Sequence, residues 1–375
     1  YLQENILKNS LDKGEHYISE EYYENNMKRY TVKNDDFIVT CDGTLGEIMQ
    51  LKNLKEKGII SSSLLRITLN PEIVNSDYFF YYFKIRMKDA LIRQNNNSVL
   101  KHLPGLKVLK EFKLELPHIN IQKSNSEILK NLDAKIELNN RINAQLEAMA
   151  KTIYDYWFVQ FDFPDAKGKP YKSSGGKMVW NDELKREVPE GWEVGSILKR
   201  VEVKDGTHDS PKPSMTGFPL ITSKNLKTEG LDFENANLIS EKDFDDINKR
   251  SKVETGDILF SMIGNIGTIY KIEEQVINFA IKNVALFKTS KKDELKNYVY
   301  MHLQSIDMNR YLKNSISGSI QKFIGLNSLR NIPFLFNEKV IENFDSISKP
   351  IFSKQELIKQ QNQHLSSLRD WLLPM

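Results

Sequence analysis

Two glycine pairs with the same spacing are the first residues in this 375-residue chain that point to ligand chemistry: Gly43-x-x-Gly46 and Gly264-Asn265-Ile266-Gly267. Bare backbone between two short apolar runs makes a tight turn that needs positive φ. It also lets a phosphate or a base edge come close. Alone the motif reads as the turn, and a turn required by the fold would be duplicated too, but its presence twice adds weight to a shared ligand surface. Polar, basic loops form a second class. Gln94-Asn95-Asn96-Asn97-Ser98 with Lys101, and Lys313-Asn314-Ser315 with Ser317-Gly318-Ser319 and Gln321-Lys322, stand at equivalent places. Ser223-Lys224-Asn225 and Lys204-Asp205-Gly206-Thr207-His208 are of the same kind. Such side chains read phosphates and base edges, yet any one such loop is more often simply solvated.

Catalytic patterns fare worse. Pro164-Asp165 with Glu183-Leu184-Lys185 matches in form the Pro-Asp…Glu-x-Lys set of metal-dependent nucleases. That chemistry needs its carboxylates and lysine on adjacent core strands, to hold a hard cation beside a phosphate. The Gly/Ser/Lys/Pro-rich stretch between them, through Gly168-Lys169-Pro170 and Ser173-Ser174-Gly175-Gly176-Lys177, reads as a linker without a strand, so the match is accidental. Methyl transfer would need a Gly-rich cofactor loop and an Asn/Asp-Pro-Pro-aromatic segment for a flipped base, and Asn70-Pro71-Glu72 lacks its second proline and its aromatic residue. No Gly-x-x-x-x-Gly-Lys loop is present, so ATP hydrolysis is not expected. The six histidines are scattered, and no catalytic or metal-ligating set emerges.

Composition narrows the field further. Cys41 is the only cysteine, which excludes an internal disulfide or a thiolate zinc site and fits a reducing cytoplasm. No run of about 18 apolar residues suggests a membrane span, and no secretory leader follows Tyr1. The 53 basic and 50 acidic residues leave a net charge of only +3, so contact with a nucleic acid must rest on locally clustered cations.

The elements that would position these loops come in two copies. Ile18-Ser19-Glu20 returns as Ile239-Ser240-Glu241, Lys28-Arg29 as Lys249-Arg250, and Asp36-Phe37-Ile38 as Asp257-Ile258-Leu259, each 221 residues on, as are the glycine pairs. A period this long means a duplicated domain rather than a solenoid. Each copy holds strand-like runs (37–40 and 258–261, then 63–69 and 283–288) followed by an aromatic helix at 78–83 and 298–303 after an Asn/Asp-type cap. The fold class is therefore α+β, two similar globular domains with a pseudo-two-fold internal repeat. The second copy extends upstream to Gly191-Trp192 without a counterpart in the first, so the first domain is expected to be incomplete at its N-terminus.

Each copy closes with a heptad-like helix. Ile128, Leu132, Ile142, Leu146, Met149, Ile153 and Tyr156 form one seam, with Lys135 and Asn139 as polar interruptions. Phe344, Ile347, Ile351, Ile358, Leu365, Leu368 and Leu372 form the other, with Lys354 and Gln361. Polar seam positions fix register and orientation. From Ile128 to Trp157 the helix would run roughly 45 Å, more than one turn of B-DNA. A paired amphipathic helix is most often a packed spacer, and two of them, antiparallel, would separate the two domains while their remaining faces dock partners. The expected boundaries are 1–120, 121–163 (first spacer helix), 164–187 (linker), 188–338 and 339–375 (second spacer helix).

These segments together resemble the specificity subunits of type I restriction–modification systems. The resemblance rests on Gly256-Asp257-Ile258-Leu259-Phe260-Ser261-Met262-Ile263 running into Gly264–Gly267, on Phe218-Pro219-Leu220-Ile221-Thr222 with Ser223–Asn225, on Asp133–Asn143 running to Tyr156-Trp157-Phe158, and on Val188-Pro189-Glu190-Gly191-Trp192. It implies a non-catalytic prokaryotic, cytoplasmic subunit whose two domains each read half of a bipartite double-stranded DNA target. Two methyltransferase subunits would dock on the helices and bring S-adenosylmethionine, while restriction subunits would bring ATP- and Mg²⁺-dependent translocation and cleavage. DNA contacts are then expected from Gly43, Thr44, Asn96, Asn97, Ser98, Lys101, Lys204, Thr207, Ser223, Lys224, Asn225, Ser261, Met262, Asn265, Lys313, Ser317, Ser319, Gln321 and Lys322. Helix packing and partner docking are expected from Ile136, Asn139, Asn140, Ile142, Leu146, Met149, Ile153, Trp157, Ile358, Leu365, Leu368 and Trp371. The competing expectation is a coiled-coil adaptor that binds partners without reading DNA.

Overall fold

Both apolar tetrads that the sequence marks as strands lie inside antiparallel sheets in the computed structural model of the chain. The structure describes residues 1–8, 10–11, 17–41, 44, 46–84, 114–227, 230–318 and 322–372. It divides into two units: residues 1–141 with 360–375, and residues 142–359. Each unit boundary falls inside a long helix, so neither helix stands as a segment apart from the units.

In the first unit, β1 (Phe37–Thr40) lies between β2 (Ile48–Gln50) and β3 (Leu64–Ile67), antiparallel to both. All four β1 residues are buried. Phe37 and Val39 face one core with Phe79 and Phe83, and Ile38 faces another with Met49, Leu51 and Ile60. Strand alternation with a core on each side explains why an unbroken apolar run was needed here. Asn75 caps the aromatic helix Ser76–Tyr82, its side-chain oxygen accepting from Tyr78 N at 2.9 Å.

The second unit's strands are, in chain order, β4 (Met178–Asn181), β5 (Arg186–Pro189), β6 (Glu193–Ser196), β7 (Val203–Asp205), β8 (Phe218–Thr222), β9 (Asn237–Ile239), β10 (Ile258–Ser261), β11 (Ile269–Lys271), β12 (Ala280–Lys282), β13 (Val284–Phe287) and β14 (Pro333–Phe336). The order β11-β10-β13-β7 makes one antiparallel sheet, and β12-β8-β9 a second in which β12 and β8 run parallel. The repeat holds at the level of register: Phe37 pairs with Gln50 and Ile258 with Lys271, each 221 residues on. The second partner strand arrives one residue early, since Phe37 pairs with Ile67 but Ile258 with Phe287.

Residues 164–187, expected to be a linker, are folded. β4 and β5 form a hairpin, Pro164 bridges Pro170, and Tyr171 stacks on Phe163 with ring centroids 4.8 Å apart. Composition misled here because Gly168 and Gly175 are turn positions with φ of 74° and 88°, while Tyr171, Met178 and Leu184 pack on the core. Glu183 and Lys185 sit exposed in the hairpin turn, and Asp165 accepts the Lys167 and Lys169 amides at 2.8 and 2.9 Å. The nuclease-like residues therefore flank strands rather than stand on adjacent core ones. The second aromatic helix is longer than expected, Asp293–Leu303, and starts without a side-chain cap.

The long helices run Ile119–Tyr154 and Glu338–Leu372, 36 and 35 residues, each about 50 Å. Within the first unit they pair antiparallel: Arg369 Nη1 donates to Asp133 Oδ1 at 2.9 Å, and Asn139 Nδ2 to Asn362 Oδ1 at 2.8 Å and Gln361 Oε1 at 2.9 Å. Within the second, Gln355 Nε2 donates to Asn143 O at 3.2 Å. The buried stripes differ from the expected seams. The first passes through Gln122, Ser126, Leu129, Asn139, Ala150, Tyr154 and Trp157, with Ile136, Ile142, Leu146 and Ile153 half-buried. Ile128, Met149 and Tyr156 face solvent, as do Lys135, Lys354, Ile347 and Leu368. On the second helix the stripe passes through Phe344, Ser348, Ile351 and Ile358, with Gln355, Asn362 and Leu365 half-buried.

Candidate nucleic-acid interface

Strand pairing collects the second unit's polar loops at one end of its sheets. Ser261 ends β10 opposite Val284, which starts β13, and Ala285 pairs with Asp205 at the end of β7. Lys282 at the end of β12 pairs with Thr222 at the end of β8. The loops 206–210, 223–226, 262–267 and the turn at Asn283 therefore share one edge. Asn283 itself takes a positive φ of 53° to make the turn from β12 into β13.

The Gly-x-x-Gly loop is the turn its glycines require. Gly264 and Gly267 have φ of 74° and 91°, and Gly267 N donates to Ser261 O at 3.2 Å. The same closure occurs in the first unit, where Gly46 (φ 75°) donates to Thr40 O at 3.0 Å. A β-carbon at Gly267 would stand 3.3 Å from Leu312 Cδ1, so the loop also packs against the helix Ile306–Ser315. A further loop is fastened to it: Ile263 bridges Phe323, Ser317 bridges Phe323, and Ile324 N donates to Met262 O at 3.0 Å. This brings Asn265, Ser317 and Lys322 onto neighbouring loops at the sheet end, beside Lys313 in the last turn of the helix Ile306–Ser315, and all four are exposed. They supply an amide, a hydroxyl and two ammonium groups, a set able to neutralise phosphates and read base edges.

The 206–210 loop is held rigidly beside them. Gly206 N donates to Val284 O at 2.9 Å and Thr207 N to Ile281 O at 3.0 Å. Any β-carbon at Gly206 would fall 2.2 Å from Ile281 O, so only glycine fits that approach. Buried Asp205 holds two exposed side chains: Arg250, through Oδ1, and His208, whose Nε2 lies 2.8 Å from Oδ2. His208 Nδ1 lies 2.8 Å from Asn283 Oδ1, and Lys282 Nζ donates to Ser210 Oγ.

Three expected contact residues lie inside the unit instead. Ser261 is fully buried and donates to Ile263 O at 3.1 Å, and Met262 is a core side chain. Asn225 is buried and closes its own turn, accepting Thr222 N at 3.1 Å and donating to Asp232 O at 3.2 Å. Two others are engaged locally: Lys204 pairs with Glu202 at 3.1 Å, and Ser223 Oγ donates to Asn283 O at 3.1 Å. Thr207 is half-buried, its hydroxyl accepting Asp209 N at 3.1 Å, while Lys224 is exposed. In the first unit Thr44 is exposed at the matching loop, its carbonyl accepting Thr40 Oγ1. Gly43, Asn96, Asn97, Ser98, Lys101, Ser319 and Gln321 lie outside the described residues.

Residues 1–148 match the family model described as the type I restriction modification DNA specificity domain. Over 373 residues, 97% of this chain and 81% of the relative, the sequence is 24% identical to the type I restriction enzyme MjaIX specificity subunit of Methanocaldococcus jannaschii. It is also 24% identical over 349 residues, 91% of this chain and 72% of the relative, to the EcoBI specificity subunit of Escherichia coli. Residues 1–148 thus carry the DNA specificity domain of type I restriction–modification systems, and the chain as a whole is similar to their specificity subunits. A solved S subunit of such a system from M. genitalium is 15% identical, with 91% of this chain and 82% of that chain covered and a TM-score of 0.46.

Specificity subunits are the non-catalytic recognition members of type I systems and assemble with other subunits. Among the described residues of this chain, no helix is long and apolar enough to cross a membrane. Its long helices carry exposed apolar side chains away from their buried stripes: Ile128, Leu138 and Met149 on the first, Leu357, Leu368 and Trp371 on the second. Trp371 is 66% exposed. Sequence reasoning did not single out Arg250, and it named His208 only as part of the Lys204–His208 loop, yet both stand exposed on Asp205 at this sheet end. The signal available was the repeated Lys-Arg pair, 28–29 and 249–250, which was read as evidence of duplication alone.

Proposed function

We propose that this specificity subunit reads a bipartite double-stranded DNA target, one half-site for each unit, with the paired helices setting the gap between them. The observation that carries this reading is the strand pair with its glycine turn found twice, β1–β2 and β10–β11, 221 residues apart and in the same register, with different side chains around it. A shared scaffold with different loops suits two similar DNA surfaces of different sequence, and phosphate contacts from Lys and Arg would supply affinity while loop amides and hydroxyls select bases. Two methyltransferase subunits would dock on the helices, using the exposed apolar side chains, and restriction subunits would join through them. S-adenosylmethionine, ATP and Mg²⁺ belong to those partners. A single chain with an internal repeat offers two similar faces to two identical partners.

The test is to express the chain with its methyltransferase subunits and map methylated sites across a genome. A bipartite motif with a fixed gap is expected, and an unbroken motif would overturn the reading. Replacing Asn265, Ser317 and Lys322 together by alanine should relax one half-site only; equal loss at both would count against one unit per half-site.

A further inference from the structure

We propose that Arg250 is a base-reading residue of the second unit, that it contacts guanine, and that buried Asp205 is its positioning residue. The inference rests on the DNA-recognition reading above. It names a contact made by neither the glycine loops nor the Ser317–Lys322 loop.

The argument begins with Asp205. Its side chain is only 7% exposed, yet both carboxylate oxygens are committed to side chains that are themselves about 60% exposed, Arg250 at 59% and His208 at 61%. A buried carboxylate at the end of a sheet is costly unless it is paired, and here its pairing fixes two outward-facing groups. Arg250 is anchored through a single nitrogen. Its Nη2 donates to Asp205 Oδ1, to Asp205 O at 3.2 Å and to Gly206 O at 3.2 Å. Among the described residues Nε and Nη1 have no hydrogen-bond partner, so the guanidinium is tethered at one corner with two of its nitrogens still available as donors. The carbonyl of Gly206 that receives Nη2 belongs to the backbone pinned against Ile281, where no side chain fits.

A guanidinium held in this way differs from the neighbouring lysines. Lys224 is exposed and carries a mobile point charge suited to a phosphate. An arginine whose rotamer is fixed by a buried carboxylate keeps a planar pair of donors in place, which suits the O6 and N7 acceptors of guanine in the major groove. His208 occupies the other oxygen of Asp205 and, through Asn283, ties the carboxylate to the β12–β13 turn. Swinging Arg250 aside would leave Asp205 Oδ1 unpaired in a buried place, so the anchor resists reorientation. The first unit carries Arg29 at the repeated position, but there the guanidinium lies over the Tyr30 ring, 4.7 Å from its centre. The device therefore belongs to the second half-site.

The experiment maps methylation by the reconstituted complex of this chain with its methyltransferase subunits, comparing wild type with Arg250→Lys and Arg250→Gln. One guanine position in a single half-site should become degenerate, with discrimination there falling roughly 5- to 150-fold while the other half-site stays intact. Asp205→Asn should loosen the same position, to a smaller degree, with Arg250 still present. Circular dichroism and the unfolding midpoint of the Arg250 variants, exposed substitutions, confirm that the fold is kept should Asp205→Asn not fold. Uniform weakening across all sites with an unchanged motif would mean a phosphate contact and would overturn the proposal. So would a wild-type motif lacking guanine in the half-site that alanines at Asn265, Ser317 and Lys322 relax. Failure of the wild-type complex to give any bipartite motif would instead refute the underlying reading, which keeps the two failures distinct.

Discussion

At the residue scale, the two units solve one buried-carboxylate problem with different chemistry. Asp36 and Asp257 each precede a central strand and cap a turn, accepting Lys33 N and Glu254 N at 2.8 Å. The first receives the Thr68 hydroxyl at 2.6 Å, whereas the second holds the buried ammonium of Lys288 at 2.5 Å. The aspartate was legible in the sequence as part of the repeat; its partner was not, because it arrives from the strand that is offset by one residue. His302 was passed over as one of six scattered histidines, yet it is buried between Tyr154 OH, 3.2 Å from Nδ1, and Pro333 O, 3.0 Å from Nε2. A neutral ring that donates from Nε2 and accepts at Nδ1 satisfies both. Burial lowers its pKa to about 4, against an unfolded value near 6.5. The unfolded chain therefore binds a proton below about pH 6.5 that the folded chain refuses until about pH 4. Stability from this group is complete above 6.5, falls across that window and is lost below it, by on the order of 3 kcal/mol in all. Urea titrations between pH 7 and pH 4.5 should show this slope, reduced in His302→Gln; an unchanged slope in the variant would remove His302 as its cause.

At the element scale, β1, β3, β10 and β13 were readable because their apolar runs recur in both copies, whereas β4 and β5 lay hidden in a Gly/Ser-rich stretch, and the glycine turns were readable because positive φ leaves few alternatives to glycine. The helix stripes were readable only in outline. Choosing positions by hydrophobicity selected Ile128, Met149 and Ile347, which face solvent, because Gln122, Ser126, Asn139 and Ser348 occupy buried positions on the true stripes. Gln122 is accommodated by hydrogen bonds rather than by apolarity, donating to Ile73 O at 3.0 Å and Pro117 O at 2.8 Å and accepting Asn75 N at 2.9 Å. Hydropathy is blind to such compensation. Asn139 is the sharpest instance, 1% exposed and donating to both Gln361 and Asn362, while Asn362 Nδ2 donates to Asn140 Oδ1 at 2.8 Å. Asn139→Ala removes two hydrogen bonds donated by a buried amide, to half-buried Asn362 and exposed Gln361, and should cost about 1–3 kcal/mol. Arg369→Ala breaks an ion pair whose partners are 30% and 36% exposed and should cost less than about 1 kcal/mol. Urea unfolding midpoints check the ranking, and the reverse order would mean that charge rather than the amide ladder holds this pairing.

At the scale of the whole molecule, duplication places a unit boundary inside each long helix, at Arg141–Ile142 and at Lys359–Gln360. These are facing levels of the antiparallel pair, since Asn139 meets Asn362 on one side of the boundary and Asn143 meets Gln355 on the other. A length change at that level in both helices alters neither sheet end nor any loop on it. Seven inserted residues lengthen a helix by about 10 Å and turn it through only about 20° short of two full turns, so the stripes stay nearly in phase. If the helices set the gap, the preferred spacing between half-sites should grow by about three base pairs at roughly 3.4 Å each, with both half-site sequences unchanged. Three base pairs also rotate the duplex by about 100°, which nearly in-phase helices do not follow, so methylation at the longer gap should be weaker than the wild type at its own. Genome-wide mapping of methylated sites for the paired insertion gives both quantities at once. A motif that keeps the wild-type gap would show that spacing is set by the partner subunits or the DNA, and the helices would then serve docking alone.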